Sequence, residues 1–543
     1  MKVIPLVHRA FSSIKKPMLG TLAYKDDVMV IKSSDGSMHS SERPPKFDPR
    51  TLANKSPSPA LINMPEILSK EIGTLTRDTP PQELRQKASA LYKKLSNGES
   101  HRPAFDGVEV DAHIQATILQ NYASITRVLQ ETKARLPDWN PKRVLDVGFG
   151  PATGILAANT LFGEELERKV SVIYGHYRMR RRAQQLLRLQ ESSWPESQHT
   201  IFKQQVPSIT ATTTYDLVIA THQLYQTGPN SSEIVDSHAT RLVNLLSPGG
   251  VLILVERGDA VGFEAIVRAR QSIMRPEDSD SEGKSDTRTR RTFTKSLELR
   301  IVAPCAHAAK CPLQLGLETR LAMKNPGEEK WCSFSQGVIR PKFALEFKKG
   351  KYLAQEWQEC DKEYGEGKGG KKLSGKGRPN GNAHEVANHS YLVIQRVEKA
   401  SVTVPSLLPR ILRPPLKRKG HVVMEICAPS GNIEHWTVAK SQGKVTYHDA
   451  RKASKGDRWP LGAKGIEIRG GLSSRASQHI ANAAKRQIES KNAAALDLWS
   501  EGAESVDPIA LLESGVPEFE TNDLREQKLR RKDKQQRYRN WAE

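Results

Sequence analysis

Cysteine, aromatic residues and long apolar runs are all scarce in this 543-residue sequence, and each scarcity excludes something. Five cysteines in so long a chain do not make a disulfide framework, so they indicate a reducing compartment and leave metal or cluster ligation open. No apolar run approaches the ~18 residues of a membrane-spanning helix. Aromatic residues make up 6% of the chain, so base stacking is not expected to dominate any binding to nucleic acid.

Positive charge is abundant instead. The chain has 83 Lys and Arg against 61 Asp and Glu, a net charge of +22. Such a balance suits a polyanionic partner, either nucleic acid or a ribosome, with phosphate contacts as the main attraction. An anionic membrane surface would also attract it. A chain of this length holds two to four domains.

The first 25 residues contain five Lys or Arg and no acid before Asp26. Leu6, Phe11 and Ile14 are interspersed with serines, which is the composition of a mitochondrial transit peptide. The alternative is an ordinary disordered basic tail. We expect import into mitochondria.

The stretch at 143–159, RVLDVGFGPATGILAAN, predicts a buried strand, a glycine-rich turn and a helix. Glycines at 148, 150 and 154 allow a close approach to a ligand. A dinucleotide fingerprint would need a third glycine at 153, where Thr stands. An acid at the strand end followed by G-x-G resembles motif I of class I S-adenosylmethionine (SAM) methyltransferases, and the alternative is a tight turn in some other α/β enzyme. The candidate cofactor-binding residues are Asp146, Gly148, Gly150 and Gly154.

Strands and helices alternate on both sides of this turn. Helices are predicted near 79–97 and 111–135, and strands at 170–174, 216–220 and 251–255 alternate with helices at 179–189 and 238–246. This pattern predicts a mostly parallel, doubly wound sheet. One expected feature is missing, because the turn from Tyr174 to Tyr177 carries no acid to hold ribose hydroxyls.

Composition divides the rest of the chain. The low-complexity and highly charged segments are predicted to be disordered, and the basic C-terminal helix is interpreted as an RNA-contacting tail or, alternatively, a solvated helix. The predicted organisation is a transit peptide at 1–25, a linker at 26–60, an N-terminal helical region at 61–140, a Rossmann-like methyltransferase-like domain at 141–275, a disordered insertion at 276–300, a cysteine-containing region at 301–400 with a low-complexity loop at 361–382, a small C-terminal β-rich domain at 401–470 and a basic helical tail at 471–543.

Four single cysteines are candidate metal ligands: Cys305, Cys311, Cys332 and Cys427. Thiolates are soft ligands that bind zinc or an iron–sulfur cluster. The paired C-x2–4-C knuckles of structural zinc sites are absent from the sequence, so the uneven spacing favours a cluster over zinc. His307 is a further candidate ligand. The alternative is four buried free cysteines.

The cysteine segments carry a more specific resemblance. CAHAAKCPL at 305–313, WCSFSQGVIRP at 331–341, GHVVMEICAPSGNIEHW at 420–436 and DARKASKGDRWP at 449–460 follow the 141–159 segment in order. Together they resemble the methyltransferase-like proteins of the mitochondrial small ribosomal subunit, a family with bacterial relatives, and are most similar to its fungal members.

The resemblance implies a Rossmann-like class I SAM-methyltransferase fold and a [4Fe–4S] cluster held by Cys305, Cys311, Cys332 and Cys427. It also implies docking on small-subunit ribosomal RNA and ribosomal proteins in the mitochondrial matrix. Three departures from the family pattern stand out: Ala152 in place of the usual glycine, the missing acid on the second strand, and twenty residues between the second and third cysteines.

Two functions remain open from the sequence. An RNA methyltransferase needs a group that activates the acceptor, and the strand after Asp216 leads into Thr221-His222-Gln223 without an Asn/Asp-Pro-Pro-aromatic box. His222 is the one candidate base, and no catalytic residue is assigned. The missing groups favour the second function, a ribosome assembly or translation factor that keeps the fold as an RNA-binding platform, with SAM binding possible and methyl transfer weak or lost.

Overall fold

A computed structural model describes the parts of the chain that surround the predicted sites. The described residues are 28–32, 38–42, 47–56, 61–96, 99, 104–207, 214–225, 231–274, 297–323, 329–347, 366–367, 371–372, 384–397 and 407–469. The chain divides into units at 1–479 and 480–543, and all described residues belong to the first. The predicted transit peptide, nearly all of the predicted insertion, most of the low-complexity loop and the basic tail lie outside the described residues.

The described residues form strands and helices with the following bounds. The strands are β1 Val28–Lys32, β2 Met38–Glu42, β3 Leu61–Ile62, β4 Arg143–Gly148, β5 Arg168–Ile173, β6 Ile201–Lys203, β7 Tyr215–Thr221, β8 Leu246–Arg257, β9 Leu299–Ala303, β10 Phe334–Ile339, β11 Glu366–Gly367, β12 Lys371–Lys372, β13 His384–Arg396, β14 Arg410–Ile411, β15 Leu416–Lys417, β16 His421–Cys427, β17 Ile433–Ala439 and β18 Gly465–Arg469. The helices are α1 Pro49–Ala53, α2 Glu66–Leu75, α3 Pro81–Ser96, α4 Gly107–Arg135, α5 Thr153–Phe162, α6 Tyr177–Glu191, α7 Ser231–Val243, α8 Ala260–Met274, α9 Leu317–Ala322, α10 Lys342–Phe347 and α11 Lys444–Lys452.

A large central sheet has the order β3-β10-β13-β8-β7-β4-β5-β6, and β9 also pairs with β13. Strands β4 to β8 of this sheet are parallel to one another, whereas β13 is antiparallel to β8 and β10. The predicted doubly wound, mainly parallel sheet is therefore confirmed. The sheet extends beyond the domain predicted at 141–275, because it also contains β3, β9, β10 and β13.

Alternating side chains give the sheet two buried faces. On β7 and β8, Ile219 and Ile253 pack in the core that contains α4 and α5, whereas Val218 and Leu252 pack in the core that contains α7 and α8. Both faces are covered, so the strands read as continuous apolar runs.

Helix α4 supplies much of the first face. The side chain of Asp106 caps its N-terminus and accepts a hydrogen bond from the backbone N–H of Glu109 at 2.6 Å. The predicted apolar stripe is buried along its whole length and consists of Ile114, Ile118, Tyr122, Ile125 and Leu129. In the part of the chain that the structure describes, α4 and the other helices include none long and apolar enough to cross a membrane.

A small antiparallel sheet follows in the C-terminal part, with the order β14-β16-β17-β18 and β15 on β16. Val422, Met424 and Trp459 form the centre of its own apolar core. Helix α1, in the stretch predicted as a linker, is tied to this part of the chain, because the backbone N–H of Asp48 donates to Asp449 Oδ2 at 3.0 Å.

A buried ion pair joins the two sheets. Glu131 of α4 accepts hydrogen bonds from Arg410 of β14, from Arg135 and from the hydroxyl of Tyr391 on β13. The Arg410 guanidinium also donates to the carbonyl oxygen of Pro304 at 2.9 Å. Removing Arg410 would leave the buried carboxylate of Glu131 with one cation instead of two, which is costly.

We therefore expect Arg410→Met to lower the free energy of unfolding by about 3 kcal/mol, since Glu131 keeps Arg135 but loses its second cation. Chemical denaturation followed by circular dichroism measures the change. Arg469→Met is the matched control, because its pair with Glu467 is exposed and should contribute under about 1 kcal/mol. Equal losses in the two variants would contradict a structural role for the buried pair.

Candidate functional sites

The glycine-rich turn between β4 and α5 rests on the side chain of Asp146. Its Oδ2 accepts hydrogen bonds from the backbone N–H groups of Gly154 at 3.2 Å and Ile155 at 3.4 Å. A Cβ on residue 154 would lie 2.3 Å from Asp146 Oδ1, so this close approach requires glycine. Ala152 adopts the left-handed conformation with φ of 55°, which explains why glycine is usual there.

Burial controls the protonation of Asp146. It raises the pKa of this carboxyl to about 7, although the hydrogen bonds from Ile155 and Gly154 act in the opposite direction. The side chain of Asp146 therefore stabilises the turn through hydrogen bonds, but it is partly protonated near neutral pH.

A small cavity lies against this turn. It is lined by Asp146, the loop glycines, Phe149 and residues of α4, β5 and β7, and about 20 Å³ of it is open to water-sized molecules. The hydroxyls of Thr153, Ser171 and Thr221 are buried beside it without a hydrogen-bond partner among the described residues. Such orphaned groups fit a polar ligand, but a molecule as large as SAM would need the lining side chains to move.

The turn after β5 lacks an acid, as the sequence indicates. Tyr174 is partly buried, His176 caps α6 and Tyr177 is exposed. The buried carboxylate of Asp111 on α4 is occupied, because it pairs with Arg178 at 2.6 Å and with another arginine of α6. No free carboxylate is thus offered to a ribose at this point by the residues that the structure describes.

His222 lies in a polar cluster that the sequence did not reveal. It has a positive φ of 55°, and its Nε2 contacts Asn121 Oδ1 at 3.0 Å while its Nδ1 lies 3.4 Å from Glu256 Oε2. Burial, and then the charge of His222, lower the pKa of neighbouring His113 to about 4. His113 and Asn121 are eight residues apart on α4, a spacing that places both on one face of a helix. This spacing could have predicted the polar cluster from the sequence, but the many apolar residues on the same helix made it hard to recognise.

The four candidate cysteine ligands line one cavity, about 40 Å³ of which is open to water-sized molecules. Cys305 follows β9, Cys332 precedes β10 and Cys427 ends β16. Cys311 lies in the loop before α9. All four are free thiols. The structure therefore brings together side chains from segments more than one hundred residues apart.

Burial disfavours the thiolate form of three of these cysteines, Cys311, Cys332 and Cys427. Burial, followed by the proximity of Cys305, raises the pKa of Cys311 to about 12. The pKa values of Cys332 and Cys427 are raised by burial and then by the other cysteines. Thiolates at this site would need a cation to balance their charge, and binding a metal there would release protons.

His307 and Arg270 form part of the same cavity. His307 Nε2 lies 3.2 Å from Cys427 Sγ, and Arg270 donates to the carbonyl oxygens of His307 and Ala309 at 2.7 Å each. Burial, and then the charge of Arg270, lower the pKa of His307 to about 4, so its imidazole is neutral. Within the described residues, no group of three or more His, Cys, Asp or Glu side chains is arranged to hold a metal ion.

Comparison with known proteins assigns the chain to a family. The model of the family described as mitochondrial small ribosomal subunit Rsm22 matches residues 108–360 and 373–460, which include the glycine turn and all four cavity cysteines. The chain is 36% identical over 466 residues to the mitochondrial ribosome assembly protein RSM22 of Saccharomyces cerevisiae, covering 72% of this chain and 73% of that protein. The chain belongs to the Rsm22 family.

More distant Rsm22-family relatives also match. The mitochondrial ribosome assembly protein METTL17 of Homo sapiens is 25% identical over 447 residues, covering 76% of this chain and 82% of that protein. Among solved structures, the plantazolicin methyltransferase BpumL in complex with SAH is 11% identical, with a TM-score of 0.23, and covers 61% of this chain and all of that chain. The expected family membership is confirmed.

The pH dependence of stability tests the buried state of Asp146 in this Rsm22-family chain. Its pKa is raised from 3.8 to about 7, so the folded chain binds more protons than the unfolded chain between these values, and stability falls as pH rises through them. Asp146→Asn should flatten this part of the curve and be more stable than the wild type above pH 7, by about 2–4 kcal/mol. Denaturation at a series of pH values measures this.

Asp216→Asn is the control of opposite sign. Burial raises the pKa of Asp216, but hydrogen bonds from Arg143 and Ser247 outweigh it, and the pKa is lowered overall. This variant should lose stability above pH 4 and lose little below it. A parallel pH dependence of the wild type and Asp146→Asn would show that Asp146 keeps an ordinary pKa.

Proposed function

We propose that this chain is a mitochondrial assembly or translation factor of the small ribosomal subunit that acts in the matrix. It binds small-subunit ribosomal RNA and ribosomal proteins through its methyltransferase-like fold, and a [4Fe–4S] cluster stabilises that fold. Membership of the Rsm22 family and the ribosome assembly role named for the yeast and human relatives support the proposal.

The observation that carries the proposal is the position of the cysteine cavity. Its walls come from α8 of the methyltransferase-like part, through Phe263 and Val267, and from the C-terminal sheet, through Leu412 and Ile433. A group held by Cys305, Cys311, Cys332 and Cys427 would cross-link these two parts. Its binding free energy would then contribute to folding.

The choice of a cluster over a single zinc ion rests on the sequence and on the resemblance. Structural zinc sites usually carry paired C-x2–4-C knuckles, and the four single cysteines do not form such pairs. Thiolates are also the ligands of iron–sulfur clusters. When bound, a [4Fe–4S] cluster supplies positive metal centres that balance four thiolates.

Positive charge supports the RNA part of the proposal. The net charge is +22, and helix α6 carries five arginines with no acid in its first turn. RNA offers a regular array of phosphates to such a surface, and attraction of this kind is tolerant of sequence.

A second candidate, an active SAM-dependent ribosomal RNA methyltransferase, draws on the orphaned hydroxyls beside the glycine turn. Against it stand the missing carboxylate after β5 and the state of His222, which is engaged by Asn121 and Glu256 instead of facing an acceptor alone. The proposed factor therefore has weak or no methyl transfer, with SAM as a possible ligand.

Metal analysis tests the cluster. Full-length protein purified without oxygen should contain about four iron and four sulfide per chain. Cys311→Ser should lose both and unfold at a lower temperature, because the site is coupled to folding. Cys360→Ser is the matched control, since the resemblance leaves this fifth cysteine out of the ligand set. One zinc without sulfide would reassign the four cysteines to zinc, and a protein that contains neither metal would have four free thiols at this site.

Salt dependence tests the RNA binding. Each phosphate contact should steepen the slope of log K against log salt by just under about 1 unit on duplex RNA and by about 0.7 on a single strand. Affinity of the full-length protein for small-subunit ribosomal RNA is measured by filter binding at several salt concentrations. An affinity that hardly changes with salt would contradict the proposal, and robust labelling of that RNA from SAM, lost in Asp146→Ala, would favour the methyltransferase.

A further inference from the structure

Two aromatic side chains are unusually exposed. Phe105 and Tyr177 are 70% and 67% exposed, the highest values among the large apolar and aromatic side chains that the structure describes. Exposed aromatic surface commonly marks a binding site, because burial of these rings is strongly favourable.

The two residues belong to one surface. The backbone N–H of His176 donates to the carbonyl oxygen of Ala104 at 2.9 Å, so the residues that precede the two rings are hydrogen bonded. The Arg178 side chain lies over Gly107, where an added Cβ would be 2.8 Å from its Nη1. The N-termini of α4 and α6 are thus side by side, at the carboxyl end of β5.

A basic stripe continues from Tyr177 along α6. Arg181, Gln184 and Arg188 follow at the fourth, seventh and eleventh positions, and all three are exposed, whereas Met179, Ala183, Leu186 and Leu187 form the buried face. The stripe spans about 16 Å.

The stripe keeps its positive charge. Arg181 and Arg188 have no carboxylate partner within the part of the chain that the structure describes. The two carboxylates nearest Phe105 in sequence, Asp106 and Glu109, both pair with Lys87, at 3.0 and 3.4 Å. Exposed rings beside unpaired arginines are the composition of a single-stranded nucleic-acid site, in which bases stack on rings and phosphates follow the cations.

We propose that Phe105 and Tyr177 form a stacking platform for unpaired bases of RNA, whose phosphates lie along Arg181 and Arg188 of α6. The inference rests on the proposed function and deepens it, because it names single-stranded RNA as the ligand and this face as its site. Duplex RNA buries the faces of its bases and cannot use the rings.

The test compares variants of the full-length protein on a single-stranded oligonucleotide of about 12 nucleotides and on a duplex of the same length. Phe105→Ala and Tyr177→Ala should each weaken single-strand binding about five-fold or more, leave the salt slope unchanged and hardly affect duplex binding. The double variant Arg181→Ala/Arg188→Ala should instead reduce the single-strand salt slope by about 1.4, for two lost phosphate contacts.

Two controls separate stacking from folding. Tyr177→Phe keeps the ring and should bind as the wild type does. Ile468→Ala removes a comparably exposed apolar side chain from β18 of the C-terminal sheet and should leave RNA binding unchanged. Unfolding temperatures should not change in the ring variants, because the rings are exposed.

Other outcomes overturn the inference. If the wild type shows salt-sensitive RNA binding that both ring variants retain, the platform is wrong and the proposed function stands. If the wild type does not bind RNA, both fail. Ring variants that lose SAH binding but keep RNA binding would assign the rings to a free nucleoside, and variants that lose only association with ribosomal proteins would assign this face to a protein partner.

Discussion

The contact between Glu131 and Arg410 is the constraint on which the arrangement of the sites depends. Glu131 is buried near the C-terminal end of α4, where an unpaired carboxylate would be strongly destabilising. Its acceptor oxygens are satisfied by Arg410, Arg135 and Tyr391, which come from the C-terminal sheet, from α4 itself and from β13. Because Arg410 also binds the carbonyl oxygen of Pro304, the same charge fixes the start of the cysteine segment. The cysteine cavity is therefore built on a polar contact, although its walls are apolar.

In both cavities burial disfavours the charged form of an acidic side chain, but the groups that stabilise the charge differ. Burial raises the pKa of Asp146 and of Cys311 alike. At the glycine turn, backbone N–H groups already support the carboxylate, so the turn is complete without a ligand. At the cysteine cavity, burial raises the pKa values of Cys311, Cys332 and Cys427, and the proximity of the other cysteines raises them further. A bound cation would therefore stabilise the cysteine cavity more than the glycine turn. This is the physical reason why we propose that a structural metal group binds at the cysteine cavity.

Local sequence patterns predicted the helices and strands but not the side-chain contacts between them. The strand at Val144–Val147 and the stripe of α4 follow from apolar periodicity, which requires no knowledge of distant residues. Glu131 and Arg410 are separated by 279 residues, and Asn121 and His222 by 101, so nothing local marks either pair. Thiolate chemistry and uneven spacing made the four cysteines candidate ligands and favoured a cluster over zinc, and the family resemblance implied that they form one ligand set. Low aromatic content correctly described the chain as a whole, but it gave no information about where individual rings are exposed.

Two departures from the family pattern, Ala152 in the glycine turn and the missing acid after β5, differ in their structural consequences. Ala152 accepts a left-handed conformation at a cost of about 1–2 kcal/mol, and the turn still forms over Asp146 with its hydrogen bonds in place. The absence of an acid from the turn Tyr174 to Tyr177 has a larger consequence, because the described residues of this edge then offer no free carboxylate to ribose hydroxyls. This edge instead presents Tyr177 and the arginines of α6, a surface that attracts phosphates. This exposed ring and these cations are the reason why we propose RNA as the ligand of this edge of the sheet.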